Sequence, residues 1–121
     1  MTWQAATARE LADAMEVDVV VPAPGRPDVH TPIWIVAVDG ELYVRSWKGD
    51  SGVWYRRAHR YRTGSVVVGG HEHRVRFTPA GEAGLDARID EAYRAKYGRS
   101  SYTAAMTRPP ATATTLRLDP A

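Results

Sequence analysis

The sequence predicts an α+β domain whose strands form an antiparallel barrel or a highly curved sheet. Six segments carry strand patterns, two or three short helices lie between them, and tight glycine-containing turns join neighbouring strands. Such turns connect antiparallel strands, whereas parallel strands need long crossovers. At 121 residues, with 44% hydrophobic and 25% charged residues, the chain has the size and balance of one globular domain, which we assign to residues 1–121.

The N-terminal part predicts a short helix and two strands. Residues 5–15 are rich in alanine and place their larger apolar side chains four apart, which is typical of a helix. Residues 17–21 are a β-branched run, and the three prolines and one glycine of residues 22–27 predict a turn-rich loop after it. Residues 31–38 give the clearest strand, because their near-continuous apolar run implies cover on both faces.

Two dipeptides predict hairpins. Asp39-Gly40 supplies the positive φ angles of a tight turn, after which residues 41–47 return as the partner strand. The second hairpin is centred on Gly69-Gly70 and joins strands that we place at residues 65–68 and 74–78.

The remaining elements are two helices and a final strand. Residues 53–60 and 85–97 space their apolar side chains as helices do, and Gly98 is placed to end the second helix. Residues 112–118 alternate between faces and predict the last strand.

Composition excludes several classes of chemistry. The chain contains no cysteine, which rules out thiol catalysis, thiolate zinc sites and iron–sulfur clusters on its own residues. We expect no membrane span, because no apolar run approaches the roughly 20 residues that cross a bilayer. The N-terminal residues lack the apolar stretch of a signal peptide, and we therefore expect a cytoplasmic protein.

The richest candidate site begins at the end of the second strand of the first hairpin. A strand end, a glycine-containing loop and a helix start together present backbone N–H groups, a hydroxyl and guanidinium groups, which suit a phosphate. The indoles of Trp47 and Trp54 are placed to flank a flat ring. The segment comprises Arg45, Ser46, Trp47, Lys48, Gly49, Trp54, Tyr55 and Arg56. A plainer interpretation remains open, in which the arginines form a solvated face and the tryptophans fill the core.

The order of short motifs resembles the deazaflavin-dependent nitroreductase family and the wider FMN-binding split barrels. The motifs are Thr31-Pro32, Asp39-Gly40, Tyr43-Val44, Ser46, Gly49, Trp54-Tyr55-Arg56 and Gly69-Gly70. The later helix at residues 85–97, Tyr102 and the final strand follow in the same order as in that family. The resemblance implies a six-stranded antiparallel split β-barrel that acts as a homodimer.

The resemblance also implies a function and a set of site residues. The expected cofactor is the deazaflavin coenzyme or FMN, held by Arg45, Ser46, Trp47, Lys48, Gly49, Trp54, Tyr55 and Arg56. Tyr97 and Tyr102 match tyrosines near the substrate end and are the candidate catalytic residues. The expected reaction is hydride transfer to a planar small-molecule acceptor, a quinone or a nitro compound. The chain departs from the family where a Gly-Arg-Lys/Arg-Ser-Gly turn is usual, because Gly25-Arg26 continues as Pro27-Asp28-Val29.

Two other functions stay open at this point. One is a split-barrel module that binds a cofactor or another ligand without turnover. The other is nucleic-acid binding through the arginine-rich stretch, which the formal net charge of only +2 disfavours.

Two further groups of charged or ligating side chains are assigned no role. His71 and His73 share a strand face, but no third ligand is evident, so we assign no metal site. The carboxylates Glu82, Asp86, Asp90 and Glu91 are expected to form a solvated helix face.

Overall fold

A computed structural model describes residues 2–121 and places seven strands in one antiparallel sheet. The helices are α1 (Ala5–Asp13), α2 (Val53–Tyr61), α3 (Ala83–Tyr97) and α4 (Thr103–Met106), with 3₁₀ turns at Gly49–Ser51 and Ala111–Thr114. The strands are β1 (Val17–Ala23), β2 (Arg26–Ile33), β3 (Val36–Val38), β4 (Glu41–Val44), β5 (Thr63–Val68), β6 (His71–Pro79) and β7 (Leu116–Pro120).

The order of strands requires the sheet to curl. Across the sheet the order is β2-β1-β5-β6-β7-β4-β3, so β2 and β3 lie at opposite edges. Yet only Trp34 and Ile35 separate these two strands along the chain. Two residues can join opposite edges only if the sheet bends back on itself. The result is a curled antiparallel half-barrel with helices, which confirms the predicted α+β split-barrel class with seven strands instead of six.

The segment that we predict as a loop, residues 22–27, belongs largely to strands β1 and β2. β2 begins at Arg26 and pairs with β1 from Val17↔Ile33 to Ala23↔Arg26. Gly25 closes this hairpin with φ 70°, a conformation that glycine adopts without strain. Pro27 and Pro32 are tolerated because β2 is an edge strand, and Pro22 lies at a register shift in β1. The single strand predicted over residues 31–38 is therefore two strands on opposite edges.

The C-terminal region also differs from its prediction. Ala111–Thr114 forms a 3₁₀ turn, and the last strand runs over Leu116–Pro120 instead of residues 112–118. The short helix α4 carries no periodic signal long enough to predict it.

Both predicted hairpin turns are confirmed. Asp39 and Gly40 have φ of 51° and 81°, and Gly69 and Gly70 have φ of 55° and 80°. Positive φ at both central residues is the signature of the tight turn that matches strand twist.

The core has two parts on the two sides of the curled sheet. Inside the curl, valines of β1 and β5 and leucines of β7 pack with Leu11 of α1 and with Trp54 and Ala58 of α2. On the other side, Ile89 and Tyr93 of α3 pack with residues of β3 and β4. In the part of the chain that the structure describes, no helix is long and apolar enough to cross a membrane.

Candidate functional site

A cavity of about 730 Å³ lies between edge strand β2, the loop after β4, the start of α2 and the turn before α4. Its aromatic lining consists of Trp34, Trp47, Trp54 and Tyr102. Val29 and Ile33 of β2 and Met106 of α4 add further apolar surface. The volume is within the range of small-molecule sites, which are largely apolar with few polar groups.

The aromatic side chains occupy different depths. Trp54 is 5% exposed and forms the interior wall, whereas Trp47 and Tyr102 are 55% and 61% exposed and stand at the mouth. Trp34 is already stacked on Tyr97, with ring centroids 4.0 Å apart and planes 3° apart. Since the indole is held by this stack, Trp34 offers a fixed platform for a flat ring.

One end of the cavity is rich in hydrogen-bond donors. Gly52 caps the N-terminus of α2 without a side-chain bond, and the first helical bond runs from the Arg56 N–H to the Gly52 carbonyl. The N–H groups of residues 53–55 therefore have no acceptor within the helix. Lys48 and Ser46 line the same cavity. These donors, at the positive end of a helix, suit an anionic group.

Gly52 lies where the loop after β4 closely approaches the start of this helix. A Cβ atom at this position would lie 2.9 Å from Ser46 Oγ, so a side chain here would displace the hydroxyl or the helix start. The glycine thus keeps the donor end of the cavity open to a ligand.

The loop after β4 packs against the 3₁₀ turn at Ala111–Thr114 and against Pro110 before it. The Ser46 N–H donates to Thr114 Oγ1 at 2.8 Å. Gly49 has φ 65°, and a Cβ there would lie 2.7 Å from the Cβ of Pro110. This predicted site residue lies outside the cavity lining and sets the path of the loop instead.

Arg45 is buried and paired inside the protein. Its side chain is fully covered, and Nη1 donates to Asp90 Oδ1 at 2.5 Å and to the Met106 carbonyl at 3.0 Å. Nε donates to Thr115 Oγ1 at 2.9 Å, and Nη2 lies 3.4 Å from Asp86 Oδ1. Arg45 contributes to the cavity wall, but its guanidinium is held by partners on α3, α4 and the segment before β7.

The prediction of a fully solvated carboxylate face on α3 is therefore wrong at two positions. The side chains of Asp86 and Asp90 are 28% and 19% exposed, and both contact the guanidinium of Arg45. A buried guanidinium needs such partners, because an unpaired charge in the interior is costly.

The other predicted arginine lies on the outside of the loop. Arg56 Nη1 donates to the Ser51 carbonyl at 3.2 Å on an exposed surface. The neighbouring Arg57 donates to the Val21 and Pro27 carbonyls at 3.0 Å and 2.8 Å. The guanidinium groups thus contact separate neighbours and do not form the expected common cradle. Tyr55 packs in the core, edge-on to Trp54.

The two candidate catalytic tyrosines occupy different places. Tyr102 borders the cavity, whereas Tyr97 lies behind Trp34. The Tyr97 hydroxyl donates to the Met15 carbonyl at 2.9 Å and accepts from the Ile35 N–H at 3.3 Å. Burial raises the pKa of Tyr97 to about 12, so this phenol stays protonated.

The sequence did not single out Trp34, although it is central to the cavity. It falls inside an apolar run that predicts a strand, where a tryptophan is an ordinary core residue. The structure places it in the link between β2 and β3, where its ring leaves the sheet. No local pattern marks such a link, because it depends on which strands pair.

The two histidines form a cluster with α1. His71 Nδ1 lies 2.9 Å from Glu10 Oε2, and His73 Nε2 lies 3.0 Å from Glu10 Oε1. Within residues 2–121, no group of three or more ligating side chains has the geometry of a metal site.

Comparison with solved structures identifies the fold. A conserved hypothetical protein of Mycobacterium tuberculosis, Rv2991, superposes with a TM-score of 0.69 at 12% identity, over 98% of this chain and 79% of that one. ChuZ of Campylobacter jejuni superposes with a TM-score of 0.67 at 7% identity, over 98% of this chain but only 54% of ChuZ.

Two further solved structures are named for their cofactors. An FAD-binding protein of Mesorhizobium loti has a TM-score of 0.55 at 13% identity, over 98% of this chain and 88% of that one. An F420 reductase has a TM-score of 0.55 at 12% identity, over 93% and 91%. The fold is thus a split barrel, as the sequence predicts. At these identities the likeness defines the fold alone.

The family assignment is more specific. Residues 7–118 match the family described as "Uncharacterized protein conserved in bacteria (DUF2255)", and the chain belongs to it. No curated protein matches the sequence significantly.

Proposed function

We propose that this protein binds a phosphorylated flavin or deazaflavin in the aromatic cavity, either FMN or the deazaflavin coenzyme. The observation that carries the proposal is the combination of three indoles with a donor-rich end in one cavity of about 730 Å³. A flat ring needs the aromatic walls, and a phosphate needs the donors. The FAD-binding protein and the F420 reductase among the structural relatives support this ligand class.

Each part of the cavity has a distinct task in this proposal. Trp34 and Trp54 hold the ring between a fixed platform and the interior wall. Ser46, Lys48 and the N–H groups of Val53 and Trp54 hold the first phosphate. Arg45, Gly49 and Tyr55 act indirectly, because they position the loop and the helix that carry these donors. Arg56 adds positive charge outside the cavity lining.

We further propose hydride transfer to a planar acceptor, a quinone or a nitro compound. The bound cofactor supplies the hydride chemistry, so the protein needs neither a nucleophile nor a metal. Met106 and Trp54 exclude water from the interior of the cavity. Tyr102 stands at the mouth, where its ring and hydroxyl are placed to orient an entering acceptor.

The proposed assembly is a cytoplasmic homodimer. Trp47, Val53 and Tyr102 are exposed together around the mouth of the cavity, and clustered apolar side chains of this kind favour a protein contact. A second copy placed there would cover the aromatic mouth. The absence of cysteine is compatible with a reducing compartment. Sedimentation analysis of the wild type and of Val53→Asp tests the dimer, since a buried carboxylate should dissociate it.

A titration panel tests the binding proposal. FMN, FAD, the deazaflavin coenzyme and haem are added separately while tryptophan fluorescence is followed. We expect quenching by FMN or the deazaflavin, and an affinity at least about fivefold weaker in Trp34→Ala, which removes one of the two rings assigned to the cofactor. The matched control is Tyr61→Ala, since Tyr61 is exposed but lies outside the cavity lining.

The outcomes separate the three candidate functions. Absence of binding by every ring compound rejects the proposal. Binding without faster oxidation of the reduced cofactor by a naphthoquinone or a nitroaromatic compound indicates a module without turnover. Salt-dependent retention on DNA or RNA, with no response to ring compounds, favours the nucleic-acid alternative.

A further inference from the structure

A second cavity adjoins the first on the far side of Trp34. It has a volume of about 680 Å³ and is built mainly from the end of α3 and the turn that follows, residues 94–100. Trp34 and Glu16 line both cavities. The two spaces are therefore neighbours that share one wall.

The turn after α3 also borders both spaces. Ser100 lines the second cavity, Tyr102 lines the first, and the Tyr102 N–H donates to Ser100 Oγ at 3.1 Å. Trp34 and this turn therefore form the boundary that a ligand tail would cross to pass from the first cavity to the second.

The charges of the second cavity differ from those of the first. Arg94, Lys96 and Arg99 line it, opposed by the single carboxylate Glu16. In the first cavity, of the residues that the structure describes, the cations are Lys48 and the internally paired Arg45. Positive charge that can reach a ligand is therefore concentrated beyond Trp34.

Two of these cations remain available to a ligand. The Lys96 ammonium donates to the Ala12, Ala14 and Ile35 carbonyls, each at 2.7 Å, and is committed to the protein. Within residues 2–121, the ion pair of Arg94 is a long, exposed contact of 3.4 Å with Glu91, and Arg99 is exposed. An exposed pair of this kind is weak and is readily exchanged for a ligand oxygen.

The end of α3 repels an anion less than an uncapped helix end, because its last carbonyl is already bonded twice. The Tyr97 carbonyl accepts from the Ser100 N–H at 2.8 Å and from Thr103 Oγ1 at 2.5 Å. Bonded carbonyls contribute less negative potential than the free ones that usually end a helix.

We propose that the second cavity binds the anionic groups that lie beyond the first phosphate of a ring cofactor, with Arg94 and Arg99 as their partners. This inference rests on the proposed function, because the ring must first occupy the cavity lined by the three indoles. The expected cofactor therefore has two or more anionic groups on a flexible tail, such as the pyrophosphate of FAD or the phosphate and carboxylates of F420.

The experiment compares four ligands and three proteins. Dissociation constants of riboflavin, FMN, FAD and F420 are measured for the wild type, for the double variant Arg94→Ala/Arg99→Ala, and for Arg88→Ala. Arg88 is a matched control, since it lies on the same helix, is exposed and pairs with Asp39 outside both cavities. Charge-assisted bonds to arginine are strong enough that we expect the double variant to bind FAD or F420 at least about tenfold more weakly. Riboflavin and FMN should bind it as they bind the wild type.

In the double variant, a loss of affinity for FAD alone identifies the dinucleotide tail as the ligand of the second cavity. A loss of affinity for F420 alone identifies the deazaflavin tail. A loss that is equal for FMN and for the longer ligands, or no greater than in Arg88→Ala, overturns the assignment while leaving ring binding intact. Failure of all four ligands to bind the wild type overturns the proposed function and this inference with it.

Discussion

Arg45 joins the candidate ligand loop to α3 through one buried guanidinium. We expect Arg45→Met to lower the free energy of unfolding by about 3 kcal/mol, because Asp86 and Asp90 lose their partner and the Met106 carbonyl loses a donor. The carboxylates are partly exposed and can rehydrate, which keeps the loss below that of a fully buried pair. Urea unfolding monitored by circular dichroism measures this change in the free energy of unfolding.

Two variants make this result specific. Arg45→Lys should recover only a small part of the loss, because one ammonium cannot replace the forked donors of a guanidinium. Arg88→Ala removes an exposed ion pair with Asp39 and should change stability by less than about 1 kcal/mol. Equal effects of Arg45→Met and Arg88→Ala would contradict the role given to the buried network.

Gly52 gives the second prediction at this scale. In Gly52→Ala the new Cβ crowds Ser46 Oγ, which lies 2.9 Å away in the wild-type geometry. We expect FMN affinity to fall about fivefold, since one well-aimed donor is worth about 1 kcal/mol, with little loss of stability. Fluorescence titration and thermal unfolding measure the two effects.

The control for Gly52 is another glycine in open space. A Cβ at Gly81 meets nothing within 4 Å, so Gly81→Ala should alter neither affinity nor melting temperature appreciably. A fall in melting temperature of Gly52→Ala without any change in FMN affinity would assign this glycine to folding alone.

The sequence could not predict the partners of individual side chains. Arg45 follows a strand pattern and Asp90 lies on a helix pattern, 45 residues apart. Each is consistent locally with a solvent-facing position, and only the packing of α3 on β3 brings them together. The residue type therefore predicted an arginine that binds an anion. The tertiary structure shows that the anions are the carboxylates of Asp86 and Asp90.

At the scale of elements, polar contacts of Glu10 hold α1 against the hairpin of β5 and β6. Its carboxylate contacts His71 and His73, and hydrogen bonds from both rings lower the pKa of Glu10 below its ordinary value. Trp3, just before α1, packs edge-on against His73 and donates to the Leu118 carbonyl at 2.9 Å.

The lowered pKa of Glu10 predicts a pH dependence. A carboxyl whose pKa is lower in the folded state stabilises that state above its ordinary pKa, and the contribution disappears as pH falls through the folded value. The melting temperature of the wild type should therefore exceed that of Glu10→Gln near neutrality and converge with it in acid. Thermal unfolding from about pH 3 to about pH 7 measures this difference. Glu72→Gln, at an exposed position on the same hairpin, should show no such convergence.

Elements with local signals were the ones predicted well. The Asp39-Gly40 and Gly69-Gly70 turns and helix α3 depend on backbone conformation and side-chain spacing within a few residues. The division of residues 31–38 into β2 and β3 depends instead on pairing with β1 and β4. An apolar run does not indicate where the chain passes from one edge of a curled sheet to the other.

At the scale of the whole molecule, the candidate site exists because the curled sheet does not close completely into a barrel. The edges β2 and β3 do not pair with each other among the described strands, and the link through Trp34 faces the cavity. The walls come from β2, the loop after β4, α2 and the segment around α4, which are far apart in sequence. The order of motifs could suggest this site through family resemblance, but it could not predict the charges of the site, since Arg45, Arg56 and Arg57 bond to the protein itself.

Burial of tyrosines predicts the alkaline stability of the molecule. Burial raises the pKa of Tyr97 to about 12 and also raises the pKa of Tyr93, whereas unfolded tyrosines titrate near pH 10. Above about pH 10 the unfolded chain releases protons that the folded chain retains, so the free energy of unfolding should fall as pH rises. Urea unfolding at about pH 7 and about pH 10.5 measures the fall.

Two phenylalanine variants separate the contributions. The Tyr93 hydroxyl is buried and has no hydrogen-bond partner within residues 2–121, so Tyr93→Phe should leave stability at neutral pH unchanged or higher. Tyr97→Phe removes the bonds to the Met15 carbonyl and the Ile35 N–H and should cost about 1 kcal/mol. Both should flatten the alkaline fall, while exposed Tyr61→Phe should not. A fall of the same size in all three variants would mean that other groups govern alkaline unfolding, and the tyrosines beneath Trp34 would then be packing residues only.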